Sequence, residues 1–170
     1  MKAGKTTARV LRSPGQLRQD LQALETEVNG WLTKLAQPGV TGSYAVGMIT
    51  MAFGHFEELL RWCLFLTMRR YGLDDGEVAT AAHVIRKPLE KQSLGSVIAC
   101  LRAVRTLRPG AAYLISDARL KILDGLASTR NQRLKAPHSK AQRKEALALA
   151  PEVLREIQAA MQNVLAPLAG

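Results

Sequence analysis

The sequence is poor in aromatic residues and in cysteine. Aromatic residues make up 5% of the 170 residues, and the two cysteines are Cys63 and Cys100. The core must therefore be built from Leu, Ala, Val, Ile and Met, and a composition rich in Leu and Ala favours helix over strand. Both cysteines lie inside apolar runs, with no His or Cys at metal-ligand spacing. We expect buried free thiols in a reducing compartment, no metal site and no cofactor.

Patterns typical of strands are also missing. No stretch of useful length alternates apolar and polar residues, as a half-buried strand does. Asp75-Gly76 is a turn dipeptide, but it lies between helical segments, and no internal repeat is visible. These absences exclude sheet and repeat architectures and leave an all-α fold as the prediction.

A long uncharged apolar run is absent as well. The most apolar stretch, residues 44–68, is interrupted by His55, Glu57, Glu58 and Arg61. A transmembrane helix needs about 18 or more largely uncharged residues. The N-terminus is basic, but no apolar segment of the kind found in signal peptides follows it. We therefore expect neither a signal peptide nor a membrane span, and we predict a cytoplasmic protein.

Positive charge is what the sequence has in excess. It contains 24 Lys and Arg residues against 14 Asp and Glu residues, which gives a formal net charge of +10. An excess of this size favours nucleic acid or another anionic partner. Many small basic proteins bind nothing specific, so the charge alone leaves that alternative open.

Apolar residues at spacings of three and four predict five helices, over about 13–37, 42–71, 94–107, 111 or 116 to 135, and 139–165. Ser13 with Gln16, and Ser139 with Gln142, match the capping box that starts a helix. Pro151 is expected to kink or restart the last helix. The prediction is an up-and-down bundle of four to five helices over residues 13–170, preceded by a flexible basic N-terminus, residues 1–12.

The chemically informative segment is residues 130–138, near the end of the fourth helix. Leu123, Leu126 and Arg130 share one helical stripe, and an overlapping stripe carries Asn131. This places Arg130 and Asn131 at the end of a packing face, where polar groups need a partner or a ligand. A frayed helix end whose arginines reach solvent is the alternative. Pro137, the residue before His138, predicts a turn that could bring this histidine back toward the arginines.

Basic residues are dense across this turn and the start of the last helix. Six fall within residues 130–144, and they are Arg130, Arg133, Lys135, Lys140, Arg143 and Lys144. Such a density suits contacts with a nucleic-acid backbone, and we regard Lys135, Lys140, Arg143 and Lys144 as candidate RNA-binding residues. A solvated charged face is the competing interpretation.

This arrangement resembles the HEPN family, the higher-eukaryote and prokaryote nucleotide-binding helical domains. Many members carry Arg, a polar residue that is often Asn, a short spacer and His near the end of one helix, just before the last helix. The segment Leu-Asp-Gly-Leu-Ala-Ser-Thr-Arg-Asn at 123–131, followed by His138 and a final helix, is similar to that pattern. Phe-Gly-His-Phe-Glu-Glu-Leu-Leu at 53–60 and Lys-Gln-Ser-Leu-Gly-Ser-Val-Ile at 91–98 are also similar to helices of such domains. The resemblance covers residues 14–168.

The resemblance implies metal-independent RNA cleavage at a two-fold dimer interface. It assigns catalysis to Arg130, Asn131 and His138. The family places four to six residues between its Arg and its His. Arg130 has the expected Asn but seven intervening residues, whereas Arg133 has four intervening residues but is followed by Leu. Arg133 is therefore the alternative catalytic arginine.

Three functions fit these observations. The first is a homodimeric endoribonuclease, a toxin or a phage-defence effector, with an antitoxin as a further partner. The second is a non-catalytic helical module that binds RNA, a nucleotide or an acidic protein. The third is an interaction subunit of a larger complex.

For the remaining polar residues of the second helix, we expect His55 to be a packed or capped structural residue. Glu57 or Glu58 could pair with an arginine of the fourth helix, but the sequence does not show such a pair.

Overall fold

The computed structural model describes residues 10–133 and 139–170, and every regular element in them is helical. The α-helices are α1 (Pro14–Leu35), α2 (Gly42–Arg70), α3 (Asp75–Ala81), α4 (Leu94–Leu107), α5 (Asp117–Arg133), α6 (Lys140–Ala160) and α7 (Ala166–Ala169). Short 3₁₀ turns occupy Leu89–Lys91 and Pro109–Tyr113, and a π turn at Met161–Leu165 joins α6 to α7. The all-α prediction is confirmed.

Both predicted capping boxes are present. The hydroxyl of Ser13 accepts from the backbone N–H of Gln16 at 3.2 Å, and the Gln16 side chain accepts from the Ser13 N–H at 2.8 Å. Ser139 and Gln142 make the same reciprocal pair at 3.1 and 3.0 Å. Each box satisfies two N–H groups that a helix start leaves without an internal partner, and so fixes where α1 and α6 begin.

The central helix is α2, which is buried on most of its circumference. Phe53, Phe56, Leu60 and Leu64 are among the largest fully buried side chains of the protein. They pack with apolar residues of α1, α4, α5 and α6 in one continuous core. The wide apolar surface of this helix in the sequence therefore reflects contact with several neighbours at once.

The order of helix directions departs from a simple up-and-down bundle, because α4 runs parallel to α2. Arg61, in the middle of α2, donates to the carbonyl of Gln92 just before α4 at 2.9 Å. Tyr71, just after α2, donates to the carbonyl of Gly110 beyond the end of α4 at 3.2 Å. The connecting segment, which includes α3, returns the chain along α2 and makes the parallel arrangement possible.

Helix α5 runs antiparallel to both α4 and α6. Arg105 of α4 bonds Asp117 at the start of α5 at 2.5 Å, and Arg102, one turn earlier on α4, bonds Asp124 further along α5. Thr129 near the end of α5 donates to Glu156 of α6 at 3.0 Å. The C-terminal end of α5 is thereby brought back toward the start of α4 and the middle of α2.

The expectation that Pro151 kinks or restarts the last helix is corrected in one respect, because α6 continues through it without a break. Pro151 lacks the N–H that would bond the carbonyl of Leu147, but the buried neighbours Ala150, Val153 and Leu154 hold the surrounding turns in the core. The irregular turn lies further along, at Met161–Leu165, where the N–H of Ala166 reaches back five residues to the Met161 carbonyl.

The described end of the predicted flexible N-terminus is attached to the bundle. Leu11 packs against the core. The guanidinium of Arg12 lies 2.7 Å from Asp20 and 2.9 Å from Glu58, and it stacks over the Trp62 ring with 5.0 Å to the ring centroid. Residues 1–9 of that predicted segment lie outside the described residues.

The expectations about membrane spans, metal sites and cysteines can be compared with the described residues. None of the helices there combines the length and apolar character that a membrane crossing requires. Over residues 10–133 and 139–170, no three His, Cys, Asp or Glu side chains gather as a metal site would need. Cys63 and Cys100 are free and buried, as predicted.

Candidate functional site

Arg130 and Glu57 form an ion pair between α5 and α2. The Nη2 atom of Arg130 lies 3.4 Å from Oε2 of Glu57. The Glu57 side chain is 14% exposed, and that of Arg130 is 35% exposed. Glu57 is therefore largely buried, while about a third of the Arg130 side chain is accessible to solvent.

Arg61 binds the other oxygen of the same carboxylate. It follows Glu57 by one helical turn, and its Nη2 atom lies 3.3 Å from Glu57 Oε1. The same nitrogen donates to the Gln92 carbonyl at 2.9 Å, whereas the Nε atom of Arg61 is buried without a hydrogen-bond partner in the described structure. A buried N–H of this kind retains unused capacity to donate.

A cleft opens beside Glu57 and Arg61, between α2, the start of α4 and the segment that joins α3 to α4. We call it the connector cleft, and its volume is about 620 Å³. Four cationic side chains line it, namely Arg61, Arg86, Lys87 and Lys91. Among its lining residues Glu57 is the one carboxylate, and His83 adds an exposed imidazole.

Gln92 holds the wall of the connector cleft in place. Its side chain is buried, and its Nε2 atom donates to the carbonyls of Val84 and Lys87 at 3.1 and 2.6 Å. Its own carbonyl accepts from Arg61. One residue thus ties the connecting segment to itself and to α2, which holds in place the backbone that carries the cationic residues.

The N-terminus of α4 opens on the same cleft. Ser93 occupies the N-cap position, but its side chain makes no capping hydrogen bond and lies 3.4 Å from the Ser96 hydroxyl instead. The first turn of α4 carries no acidic residue. Both serines line the cleft, so the N-terminal end of α4, where the helix dipole is positive, borders it.

The packing stripes predicted for α5 are confirmed for Arg130 and corrected for Asn131. Leu123 and Leu126 are buried and Arg130 is half-buried, so the first stripe does face inward. Asn131 is exposed, because one further residue along a helix turns the side chain by about 100° away from that face. Asn131 is free to contact a ligand in solvent, but it does not end a packing face.

The basic residues of α6 lie in its first turns. Lys140, Arg143 and Lys144 are all exposed. The backbone of Arg143 packs directly on the start of α2, since a Cβ placed on Gly42 would lie 2.6 Å from the Arg143 carbonyl carbon. This close approach fixes the position of the basic turns relative to α2.

Three predicted site residues fall at or beyond a limit of the description. Lys135 and His138 lie outside the described residues. Arg133 is the last described residue of α5, and its side chain is not described. The structure therefore brings together Arg130 and the α2 carboxylate, places the α6 cations at the start of the next helix, and leaves the histidine as a prediction from sequence.

Residues of α2 take roles that sequence reasoning only partly anticipated. The sequence left open whether one of the two adjacent glutamates pairs with an arginine of α5; Glu57 makes this pair, whereas Glu58 pairs with Arg12. His55, expected to be packed or capped, is half-exposed and bonds Glu27 at 3.1 Å through Nδ1. The connector cleft was missed altogether, although the cations around Pro88 were a visible signal.

Comparison of this chain with protein-family models, with curated protein sequences and with solved structures finds no match. A partly exposed arginine held by a buried carboxylate is a donor for phosphate oxygens, and the neighbouring cations attract polyanions.

Proposed function

We propose that this protein binds RNA at the C-terminal end of α5 and cleaves it without a metal ion. The observation that carries the proposal is the placement of Arg130. It is anchored by Glu57 and partly exposed, and it lies in the last turn of α5, just before the segment that leads to His138.

The proposed reaction is an internal transesterification. The 2′-hydroxyl of RNA loses its proton and attacks the adjacent phosphorus, forming a 2′-O–P bond. The P–O5′ bond breaks, and the leaving 5′-oxygen takes up a proton. The products are a 2′,3′-cyclic phosphate and a 5′-hydroxyl, so no water, metal or cofactor enters this step.

In this proposal Arg130 stabilises charge and His138 moves protons. A guanidinium has five N–H donors, and the ion pair with Glu57 engages one nitrogen of Arg130, which leaves others for a phosphate. Charge builds on the phosphate oxygens in the transition state, and a positioned arginine stabilises it. A histidine of ordinary pKa serves as general base or acid near neutral pH. Asn131, which is exposed, would hydrogen-bond the phosphate or orient the histidine.

The first turns of α6 supply the binding surface. Lys140, Arg143 and Lys144 are exposed in the first turns of α6. The Arg143 backbone packs on Gly42, fifteen positions before Glu57 on α2, so these cations lie about 20 Å along α2 from Arg130. An RNA strand that extends from Arg130 along α2 would contact them with its backbone phosphates. Each phosphate that they neutralise releases condensed counterions, so RNA affinity should fall steeply as salt rises.

The wider setting of the proposal follows the HEPN resemblance. The protein would act as a HEPN-like homodimer with the site at its two-fold axis, as a toxin or phage-defence effector held in check by an antitoxin or a larger complex. A cytoplasmic location suits an RNA substrate and the two free thiols Cys63 and Cys100.

A second candidate is a binding module of the same surface that does not cleave. It is favoured by the ion pair itself, since Glu57 neutralises part of the charge that Arg130 would bring to a transition state. In that case the basic turns of α6 hold RNA, a nucleotide or an acidic protein, and Arg130 serves mainly to join α5 to α2.

The test is incubation of the full chain with a fluorescent single-stranded RNA in excess EDTA. Arg130→Ala and His138→Ala are the site variants, and Arg69→Ala, which removes an exposed arginine at the end of α2, is the matched control. We expect cleavage by the unmodified protein and the control, and a loss of about 10²-fold or more in each site variant. Cleavage that persists in both site variants would show that Arg130 and His138 do not form the cleavage site. Salt-dependent binding without cleavage would select the binding module.

A further inference from the structure

We propose that the connector cleft is a binding site for a phosphate monoester, the terminal phosphate of a nucleotide or of a phosphorylated RNA end. This site is separate from the proposed cleavage site, and its assignment does not depend on RNA cleavage. It uses Arg61, Lys87 and Lys91, whereas the cleavage proposal uses Arg130 and His138.

The charge of the cleft selects an anion. Its lining carries four cationic side chains and one carboxylate, and that carboxylate, Glu57, is already bonded to Arg61 and Arg130. Arg86, Lys87 and Lys91 are exposed. Their charged ends can therefore contact a ligand at the opening of the cleft directly from solvent. A phosphate monoester carries about −1.5 to −2 charges at neutral pH, more than the single charge of a diester, and matches this surplus better.

The hydrogen-bonding groups of the cleft match phosphate oxygens. Arg61 lines the cleft with a side chain that is 19% exposed, and the start of α4 has N–H groups that the Ser93 side chain does not cap. Helix starts and arginines are both common phosphate donors, and here they converge with lysines from a third element.

The cleft is built rather than incidental. The buried Gln92 side chain holds the carbonyls of Val84 and Lys87, which fixes the turn that carries the cationic wall. A volume of about 620 Å³ falls within the range of about 300–1,000 Å³ usual for small-ligand sites. A nucleotide, or the last nucleotide of an RNA chain, is of suitable size.

The experiment measures binding to the full chain by calorimetry with matched pairs of probes. Adenosine 5′-monophosphate is compared with adenosine, and a short RNA with a 5′-phosphate is compared with the same RNA bearing a 5′-hydroxyl. We expect the phosphorylated member of at least one pair to bind about tenfold more tightly or better. If the mononucleotide shows the preference, the ligand is a free nucleotide. If only the RNA pair shows it, the ligand is a strand end.

Two variants test the location. Lys87→Gln with Lys91→Gln removes two cleft cations, and Lys34→Gln with Arg69→Gln removes two exposed cations outside the lining. Ser93→Asp places a carboxylate in the cleft while supplying a better N-cap to α4, so folding should be preserved or improved. We expect the phosphate preference to be lost in the cleft double variant and in Ser93→Asp, and kept in the control.

Three results would overturn the proposal. The first is equal affinity for the phosphorylated and unphosphorylated members of both pairs. The second is an equal loss in the control double variant, which would show attraction by net charge only. The third is full retention of the preference in Ser93→Asp. Loss of RNA cleavage in His138→Ala bears on the cleavage proposal alone, because the phosphate preference of these probes is assigned to Arg61, Lys87 and Lys91.

Discussion

Glu57 holds Arg61 with one carboxylate oxygen and Arg130 with the other, at 3.3 and 3.4 Å. This single carboxylate joins the middle of α2 to the last turn of α5. It lines the connector cleft together with Arg61 and contacts Arg130, which is partly exposed, at the end of α5. Glu57 therefore contacts one arginine from each of the two proposed phosphate sites.

Replacing Glu57 by Gln tests this relationship. The amide keeps the shape but loses the charge, which leaves the largely buried Arg61 with a weaker partner. We expect the free energy of unfolding to fall by about 1–2 kcal/mol. Because Arg130 is released, RNA affinity should rise in the same variant. Urea denaturation and fluorescence anisotropy measure the two effects.

Glu58→Gln is the matched control for that substitution. Glu58 is half exposed and pairs with Arg12, so its loss should cost about 0.5 kcal/mol or less and leave RNA affinity nearly unchanged. Equal effects of the two substitutions on stability and on RNA affinity would contradict the special position of Glu57.

Gly42→Ala should be strongly destabilising. Its Cβ would lie 2.6 Å from the carbonyl carbon and 2.8 Å from the Cβ of Arg143, so backbone would have to move. We expect a loss of about 1–3 kcal/mol by thermal or urea unfolding. Gly47→Ala, on the same helix with no described atom within 4 Å of the new Cβ, should instead stabilise by about 0.5–1 kcal/mol. The same sign for both variants would count against the close approach of α2 and α6.

The two cysteines should be unreactive in the folded protein. Burial raises the pKa of the Cys63 thiol to about 12. Burial, with a smaller contribution from the Asp75 carboxylate, raises the pKa of Cys100 to about 11. Because the thiolate is the nucleophile, a thiol reagent at pH 8 should label neither residue in buffer and both in denaturant. Rapid labelling of the native protein would show that the core opens there.

Asp117 should make stability depend on pH in the acid range. A hydrogen bond and the charge of Arg105 lower the pKa of the Asp117 carboxyl below its usual value. A carboxyl whose pKa is lower in the folded state than in the unfolded state stabilises the protein at pH values above its unfolded-state pKa. That contribution is lost as the pH falls through the folded-state pKa of the carboxyl. Asp117→Asn should therefore lower the melting temperature slightly at pH 7 and leave it unchanged well below the folded-state pKa. A difference that persists at low pH would mean that the carboxylate charge is not the cause.

The sequence predicted features that depend on neighbouring residues. The capping boxes at Ser13 and Ser139 were predicted correctly because a cap involves residues three positions apart. The burial of Leu123 and Leu126 with Arg130 on one stripe of α5 followed from helical periodicity in the same way.

The features that the sequence left open or missed depend on contacts between distant segments. Nothing in the spacing of Glu57 and Arg130, which are 73 positions apart in the sequence, identifies them as partners. The connector cleft needs Gln92 to fold its own segment back and Arg61 to approach from another helix. The parallel course of α2 and α4 depends on the same connection.

The most direct test of the central claim is the chemistry of the cut. The full chain is incubated in excess EDTA with an all-ribose RNA and with the same sequence carrying 2′-O-methyl groups, and the product ends are identified by mass spectrometry. The proposal predicts cleavage of the ribose strand only, with 2′,3′-cyclic phosphate and 5′-hydroxyl ends. No cleavage in EDTA, or cleavage of the methylated strand, would contradict it.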